Sequence, residues 1–132
     1  MTYHEPGFEA LGILPKVRLL TGPTPIEKCE RLKAALPGSP NLYIKRDDFT
    51  SYLVGGNKIR KLEYTMADAL DKKATAIITI GSVHSNHARI TAMVARRMGL
   101  RCVLVLNGGT EDNPTGNNLI MKLLMGVEII PV

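Results

Sequence analysis

Two short runs hold the residues of this sequence whose types and spacing could do chemistry. The first is Gly55-Gly56-Asn57-Lys58. Paired glycines permit positive φ and close approach of the backbone to a ligand, and the apolar periodicity that follows puts Lys58 at or near the first turn of a helix. The amine is then close to the partial positive charge of the helix start and to Arg60 and Lys61. Both surroundings favour the neutral amine, the nucleophile that a Schiff base requires. As a bare string GGNK is weak, and its default reading is an ordinary surface lysine.

The second run is Gly81-Ser82-Val83-His84-Ser85-Asn86-His87, which follows a β-branched strand pattern and opens a helix. Unsatisfied, positively polarised N–H groups at such a helix start suit a carboxylate or phosphate. Ser85, Asn86 and His87 add side-chain donors at the same end. Plain helix capping by Ser85 or Asn86 explains the same residues. His84 and His87 lack an acidic or thiol third ligand nearby, so no metal site is expected. Asp47-Asp48 could be an acid/base pair, although a cap or an ion pair with Lys45 or Arg46 accounts for it more simply. No GxGxxG follows a strand and no GxxxxGK[S/T] occurs, which removes a nicotinamide-binding reading.

The elements that must position these runs follow from periodicity. Thr24-Pro25 offers an N-cap and a first helical position, and Ile26, Cys29, Leu32 and Leu36 recur at helical spacing until Pro37-Gly38-Ser39-Pro40. Leu42 to Lys45 reads as a short strand. Ile59, Leu62, Met66 and Leu70 stripe a helix running to about Leu70, and Thr75 to Ile80 is a buried strand. Ile90, Met93, Val94 and Met98 mark a further helix closed by Gly99, and Arg101 to Leu106 is the next strand. Asn113-Pro114 could start another helix, striped by Leu119, Ile120, Leu123 and Leu124, before a last strand over Val127 to Val132. Alternating strand and helix predicts an α/β fold, an open parallel sheet with helices on both faces. Ligands then belong beyond the carboxyl ends of the strands, where the second run lies.

Size and composition fit this class. A chain of 132 residues with two Phe and no Trp suits a domain with short aliphatic strands. The net charge of +5 is scattered rather than gathered into an arm, which argues against nucleic acid and leaves a general pull on anionic ligands. Cys29 and Cys102 form no CxxC pair and read as small apolar residues. No apolar run marks Met1 to Gly12 as a leader and no segment is long enough to cross a membrane, so a reduced, cytoplasmic protein is expected.

Thr24-Pro25-Ile26, Tyr43-Ile44-Lys45-Arg46-Asp47-Asp48, Gly55 to Glu63, and Ser85-Asn86-His87-Ala88-Arg89 occur in this order. Together they resemble the D-cysteine desulfhydrase and 1-aminocyclopropane-1-carboxylate deaminase family, tryptophan-synthase-β-like enzymes of fold type II that use pyridoxal 5'-phosphate. The resemblance covers nearly the whole chain after about Val17. It implies that Lys58 carries the cofactor and moves protons at the substrate Cα, and that Asn86 bonds the cofactor's ring hydroxyl. It also implies that Asn57 belongs to the cofactor site, and that Ser85, with His87 beside it, holds the carboxylate of a small amino-acid substrate, Ser85 joining the proton transfers. The activity implied is α,β-elimination of a D-cysteine-like substrate to keto acid, ammonia and thiol or sulfide. Ring-opening deamination of the cyclopropane amino acid is the close second, and a non-catalytic structural or regulatory half is the alternative of a different class.

Members of that family are more than twice this length. Their phosphate-cupping loop, the group facing the pyridine nitrogen and the substrate-contacting tyrosines come from a later part. On the resemblance, residues 1–50 belong to the large domain and residues 51–132 form a small α/β domain, incomplete at its C-terminal end. The closing strand, with no helix after it to cover its second face, points the same way. A companion chain carrying the C-terminal half, within a homo- or hetero-oligomer, is therefore expected. Phe49 to Val54 departs from the usual leucine-threonine-glycine lead, and Tyr52 could reshape the pocket wall.

Overall fold

The structure, a computed structural model, describes residues 12–50, 55–108, 121–122 and 126–132. Three strands, β3 (Ala76–Ser82), β4 (Arg101–Asn107) and β5 (Glu128–Pro131), form a parallel sheet in the order β3-β4-β5. A separate two-stranded antiparallel sheet joins β1 (Ile26–Lys28) to β2 (Tyr43–Lys45). The helices are α1 (Glu30–Ala35), α2 (Lys58–Asp71) and α3 (Asn86–Arg97), with a 3₁₀ turn over Asp47–Phe49.

The register Ile77↔Cys102, Thr79↔Leu104 and Gly81↔Leu106 puts one set of side chains on a single face of the parallel sheet. Helix α3 lies on that face because Ala88, Ala92 and Ala95 recur at helical spacing and are small enough to let its backbone close onto the strands. These alanines share a core with Cys102, Leu104, Leu106 and Met121. A fully buried leucine such as Leu104 contributes about 2 kcal/mol by leaving water. Helix α2 packs in turn on α3, with Ile59, Leu62 and Met66 against Ile90 and Val94. The opposite face shows Ile78 and Ile80 each 70% exposed. Apart from Met121 and Lys122, the helix expected around Leu119 to Leu124 lies outside the described residues, as does Tyr52.

Both long helices end in the same way. At α3, the Leu100 N–H bonds the Ala95 carbonyl at 2.9 Å and the Gly99 N–H bonds that of Arg96 at 3.2 Å, with Gly99 at φ +72. This is a Schellman closure, the left-handed position filled by glycine. At α2 the same pair of bonds runs from Ala74 to Ala69 and from Lys73 to Leu70, with Lys73 at φ 55. A lysine holds the position that glycine usually signals, so α2 could be ended only approximately from sequence.

The helix expected from Pro25 is a correction. Ile26–Lys28 is a strand, and the helix spans only Glu30–Ala35. The reason is competition for backbone partners. Ile26 pairs with Lys45 and Lys28 with Tyr43. Bonds from Cys29 N–H to the Leu42 carbonyl (2.8 Å) and from Arg46 N–H to that of Pro25 (3.0 Å) extend the ladder at both ends. Ile26 and Leu32 remain 66% and 51% exposed, so the helical spacing marks no buried face here.

Glu63, buried on α2, ties the lead-in segment to the domain. It accepts from the N–H groups of Leu19 and Leu20, both at 3.0 Å, and pairs with Lys16 at 2.8 Å. Burial pushes its carboxyl pKa up, but the Lys16 ammonium and the two amides outweigh that and hold it below the usual range.

Candidate active site at two helix starts

Lys58 is the first residue of α2. The turn before it is built on Asp47 and Thr50. The Gly56 N–H bonds the Asp47 carbonyl at 2.7 Å and lies 2.9 Å from Thr50 Oγ1, while the Thr50 hydroxyl reaches the Gly56 carbonyl at 3.0 Å. Gly56 has φ +136, a conformation side chains rarely adopt, and a Cβ at Gly55 would stand 1.9 Å from the Asp48 carbonyl oxygen. Both glycines are therefore required by the backbone itself. Asn57, the residue before the helix, is exposed and makes no side-chain cap bond, and the first turn carries no acid.

Residues from outside the helix hold this start instead. Arg60, two residues after Lys58, makes a forked contact with Asp47, Nε to Oδ2 at 2.9 Å and Nη2 to Oδ1 at 2.6 Å. Thr24, buried, donates its hydroxyl to Asp47 Oδ1 at 3.0 Å, and Lys45 bonds the Thr24 carbonyl. The Arg60 guanidinium, aided by Thr24, holds the Asp47 carboxyl below the usual carboxylate range. Asp48 has a separate partner: its carboxylate pairs with Arg46, which also grips Glu27. The expected ion pairing of the Asp47-Asp48 run is thus observed for Asp48 with Arg46, whereas Asp47 takes Arg60. Sequence reasoning passed over Arg60 as a partner, and only a coincidence of charge thirteen positions from Asp47 could have suggested it.

The second run lies where β3 hands over to α3. Ser85 caps the helix, its Oγ accepting from the Ala88 N–H at 3.1 Å. That bond uses a lone pair and leaves the hydroxyl proton available. Asn86 opens the helix with its amide oxygen on Arg89 Nη2 at 3.2 Å. Arg89 can only donate, which fixes the amide oxygen toward it and directs the amide nitrogen elsewhere. Arg89, buried at 3% exposure, was another residue passed over.

His87 meets two threonines, one from β3 and one from its own helix. Its ring lies between Thr79 (3.4 Å) and Thr91 (3.5 Å), in a groove it shares with Lys61, Leu62, Met66 and Ile77. Burial lowers its pKa below the ordinary value, and the charges of Lys61 and Lys58 push the same way. The start of α2 packs on α3 through Ile59, which shares a core with Ile90. Gly56 lies close as well, where an added Cβ would stand 3.5 Å from Ile90 of α3.

The structure therefore brings an amine (Lys58), a hydroxyl (Ser85) and an amide (Asn86) to two neighbouring helix starts. This donor set fits an aldehyde cofactor with a ring hydroxyl and an acidic substrate group. Cys102 belongs to the core instead, its thiol pushed up to about 11 by burial. Among the described residues no three His, Cys, Asp or Glu gather as a metal site, and no helix is long and apolar enough to cross a membrane.

Comparison with known proteins shows the family to which the chain belongs. A crystal structure of an ACC deaminase homologue superposes with a TM-score of 0.85 at 43% identity, covering 95% of this chain and 37% of that one. A D-cysteine desulfhydrase from Salmonella paratyphi A is 46% identical over 114 residues, 83% of this chain and 34% of the relative. The fold alone is shared with Escherichia coli diaminopropionate ammonia lyase, at TM-score 0.63 and 20% identity. The chain thus spans about a third of the length of the curated relatives it matches. The sequence pattern of the family described as pyridoxal-phosphate dependent enzyme matches residues 17–132, and the chain belongs to that family, whose cofactor is pyridoxal phosphate.

Proposed function

We propose that this chain carries the cofactor-attaching part of a lyase or deaminase acting on a small amino acid, with Lys58 as the attachment residue. The observation that carries this reading is the position of Lys58, opening α2 beside the start of α3 that presents Ser85 and Asn86. Asn86 bonds the cofactor's ring hydroxyl through the amide nitrogen that Arg89 turns away from itself. Ser85 donates its hydroxyl proton to the substrate carboxylate, and the α3 N-terminus adds its partial positive charge. Asn57 lines the cofactor site, and His87 supports the pocket wall from the groove behind. When bound, pyridoxal phosphate supplies the electron sink for carbanion chemistry. In the elimination Lys58 takes the proton from the substrate Cα and passes it on to the departing sulfur or to the Cβ that becomes the keto acid's methyl. The cyclopropane acid has no Cα proton, and there the amine serves protons at the ring carbons instead.

The reaction we favour is α,β-elimination of a D-cysteine-like amino acid, water being consumed as keto acid, ammonia and sulfide or thiol are released. Ring-opening deamination of 1-aminocyclopropane-1-carboxylate stands beside it, because relatives of both names match at nearly equal identity. In this proposal residues 1–50 belong with a large domain and 51–132 form the small one, and the phosphate cup comes from the remaining two thirds of the fold, in the same or a companion polypeptide. The test joins this chain to a polypeptide carrying that remainder and adds pyridoxal phosphate. A visible absorbance band of lysine-bound cofactor is expected, lost in Lys58→Ala, with D-cysteine and the cyclopropane acid compared as substrates. A chain that gives no band with any such complement serves a non-catalytic role and sinks the reading.

A further inference from the structure

We propose that Asp47 is a positioning residue for Lys58, gripping the chain on both sides of it. The inference rests on the reading of Lys58 just given and adds how that residue is held. The backbone carbonyl of Asp47 takes the Gly56 N–H at 2.7 Å, two residues before Lys58. Its carboxylate takes the fork of Arg60, two residues after, through contacts of 2.9 and 2.6 Å. One residue from a different segment therefore spans the attachment point.

The arrangement is more than a surface ion pair. An exposed pair of flexible side chains contributes little because both must be ordered to meet. Here the carboxylate is ordered already. Thr24, buried, donates to the same Oδ1 that receives Arg60, and Arg60 Nη2 also lies 3.0 Å from Thr24 Oγ1. The planar guanidinium makes two parallel bonds, which fix direction as well as distance. Asp47 itself sits in a 3₁₀ turn whose end is tied by the Thr50 N–H to its carbonyl at 3.3 Å. Helix α2 needs such help, since Asn57 gives no side-chain cap and no acid stands in its first turn. Without Asp47, the turn carrying Lys58 would fray and its amine would sample directions useless for attack on a carbonyl carbon.

The clamp and the attachment chemistry can be tested apart. Asp47→Asn keeps the size and the backbone carbonyl but removes the charge; Arg60→Lys keeps the charge but removes the fork; Thr24→Val removes the orienting hydroxyl. In the chain joined to its complement and free of cofactor, Asp47→Asn is expected to speed amide exchange over Gly56 to Lys61 by about five-fold or more, with β3 and β4 unchanged. On adding pyridoxal phosphate, attachment to Lys58 slows by a similar factor, and kcat falls more than KM changes. Arg60→Lys lies between wild type and Asp47→Asn. Unchanged exchange and attachment rate in Asp47→Asn overturn the clamp. If Asp47→Asn unfolds the whole chain, Arg60→Lys and Thr24→Val decide, and local exchange equal to wild type in both overturns it. A wild type that never attaches cofactor defeats the functional reading instead, while exchange still decides the clamp.

Discussion

The two helix starts of this site solve one problem in opposite ways. Helix α3 supplies its own cap: Ser85 accepts from the Ala88 N–H and the Asn86 amide oxygen meets Arg89, each bond spanning three residues. Helix α2 has no such closure, and its start is held by Thr24, Asp47 and Thr50 from a segment earlier in the chain. A self-capped start tolerates change elsewhere, whereas a start held from outside inherits the fate of its supports. The residue expected to carry the cofactor is on the second kind, where its position can be set by several segments at once.

The most severe break should come from glycine. In Gly55→Ala the new Cβ meets the Asp48 backbone carbonyl at 1.9 Å, and neither side of that contact is a movable side-chain end. The turn must shift, at a cost of about 3 kcal/mol, and Lys58 shifts with it. At the other start, Gly81→Ala meets the Ser85 side chain at 2.8 Å. Rotation of Ser85 relieves only the Oγ contact and gives up the cap. Its Cβ, also at 2.8 Å, is fixed by the backbone, so the helix start must give slightly too, for about 2 kcal/mol in all. Chemical denaturation of the two variants measures the difference, and a Gly81→Ala cost equal to that of Gly55→Ala would erase the contrast.

The same contrast explains what the sequence could reveal. The α3 start was legible because capping is local: Ser85 precedes the apolar stripe of Ile90, Met93, Val94 and Met98. Strands β3, β4 and β5 were legible because apolar, largely β-branched runs between turns leave few other options. The Asp47–Arg60 fork was not legible, since it joins residues thirteen positions apart in two runs that each hold several charges. Ile26 to Leu36 misled for a related reason. Its helical spacing was real, but Tyr43–Lys45 claimed the backbone of its first three residues. A pattern within one element survives translation into structure only where no other element claims its backbone, and such pairings between elements must be seen.

A smaller effect separates the caps directly. Ser85→Ala loses the bond to the Ala88 N–H and should cost about 1 kcal/mol, read from the denaturation midpoint without cofactor. Asn57→Ala occupies the corresponding place before α2, yet its side chain caps nothing, and stability should move by no more than a few tenths of a kcal/mol. If Asn57→Ala nonetheless weakens cofactor attachment, the side chain serves the ligand rather than the helix. A loss of stability in Asn57→Ala matching that of Ser85→Ala would mean that α2 caps itself after all.

The smallest effect tests whether the two starts share one site. The His87 ring is held below the ordinary histidine value of 6.5 by burial first, then by Lys61 and Lys58. Above that value the ring is neutral whether the chain is folded or not. As pH falls below it the unfolded chain takes up the proton first, so this residue's contribution to stability is lost as pH passes down through the folded value. A ring-proton titration by NMR should place His87 below 6.5, and Lys61→Gln should raise it. Lys58→Ala should raise it by less, because Lys58 is the weaker of the two influences. That modest shift carries the structural point, since it puts the amine opening α2 within electrostatic reach of the first turn of α3. A His87 titration that ignores Lys58→Ala would separate the two helix starts and leave Ser85 and Asn86 without the lysine they are proposed to serve.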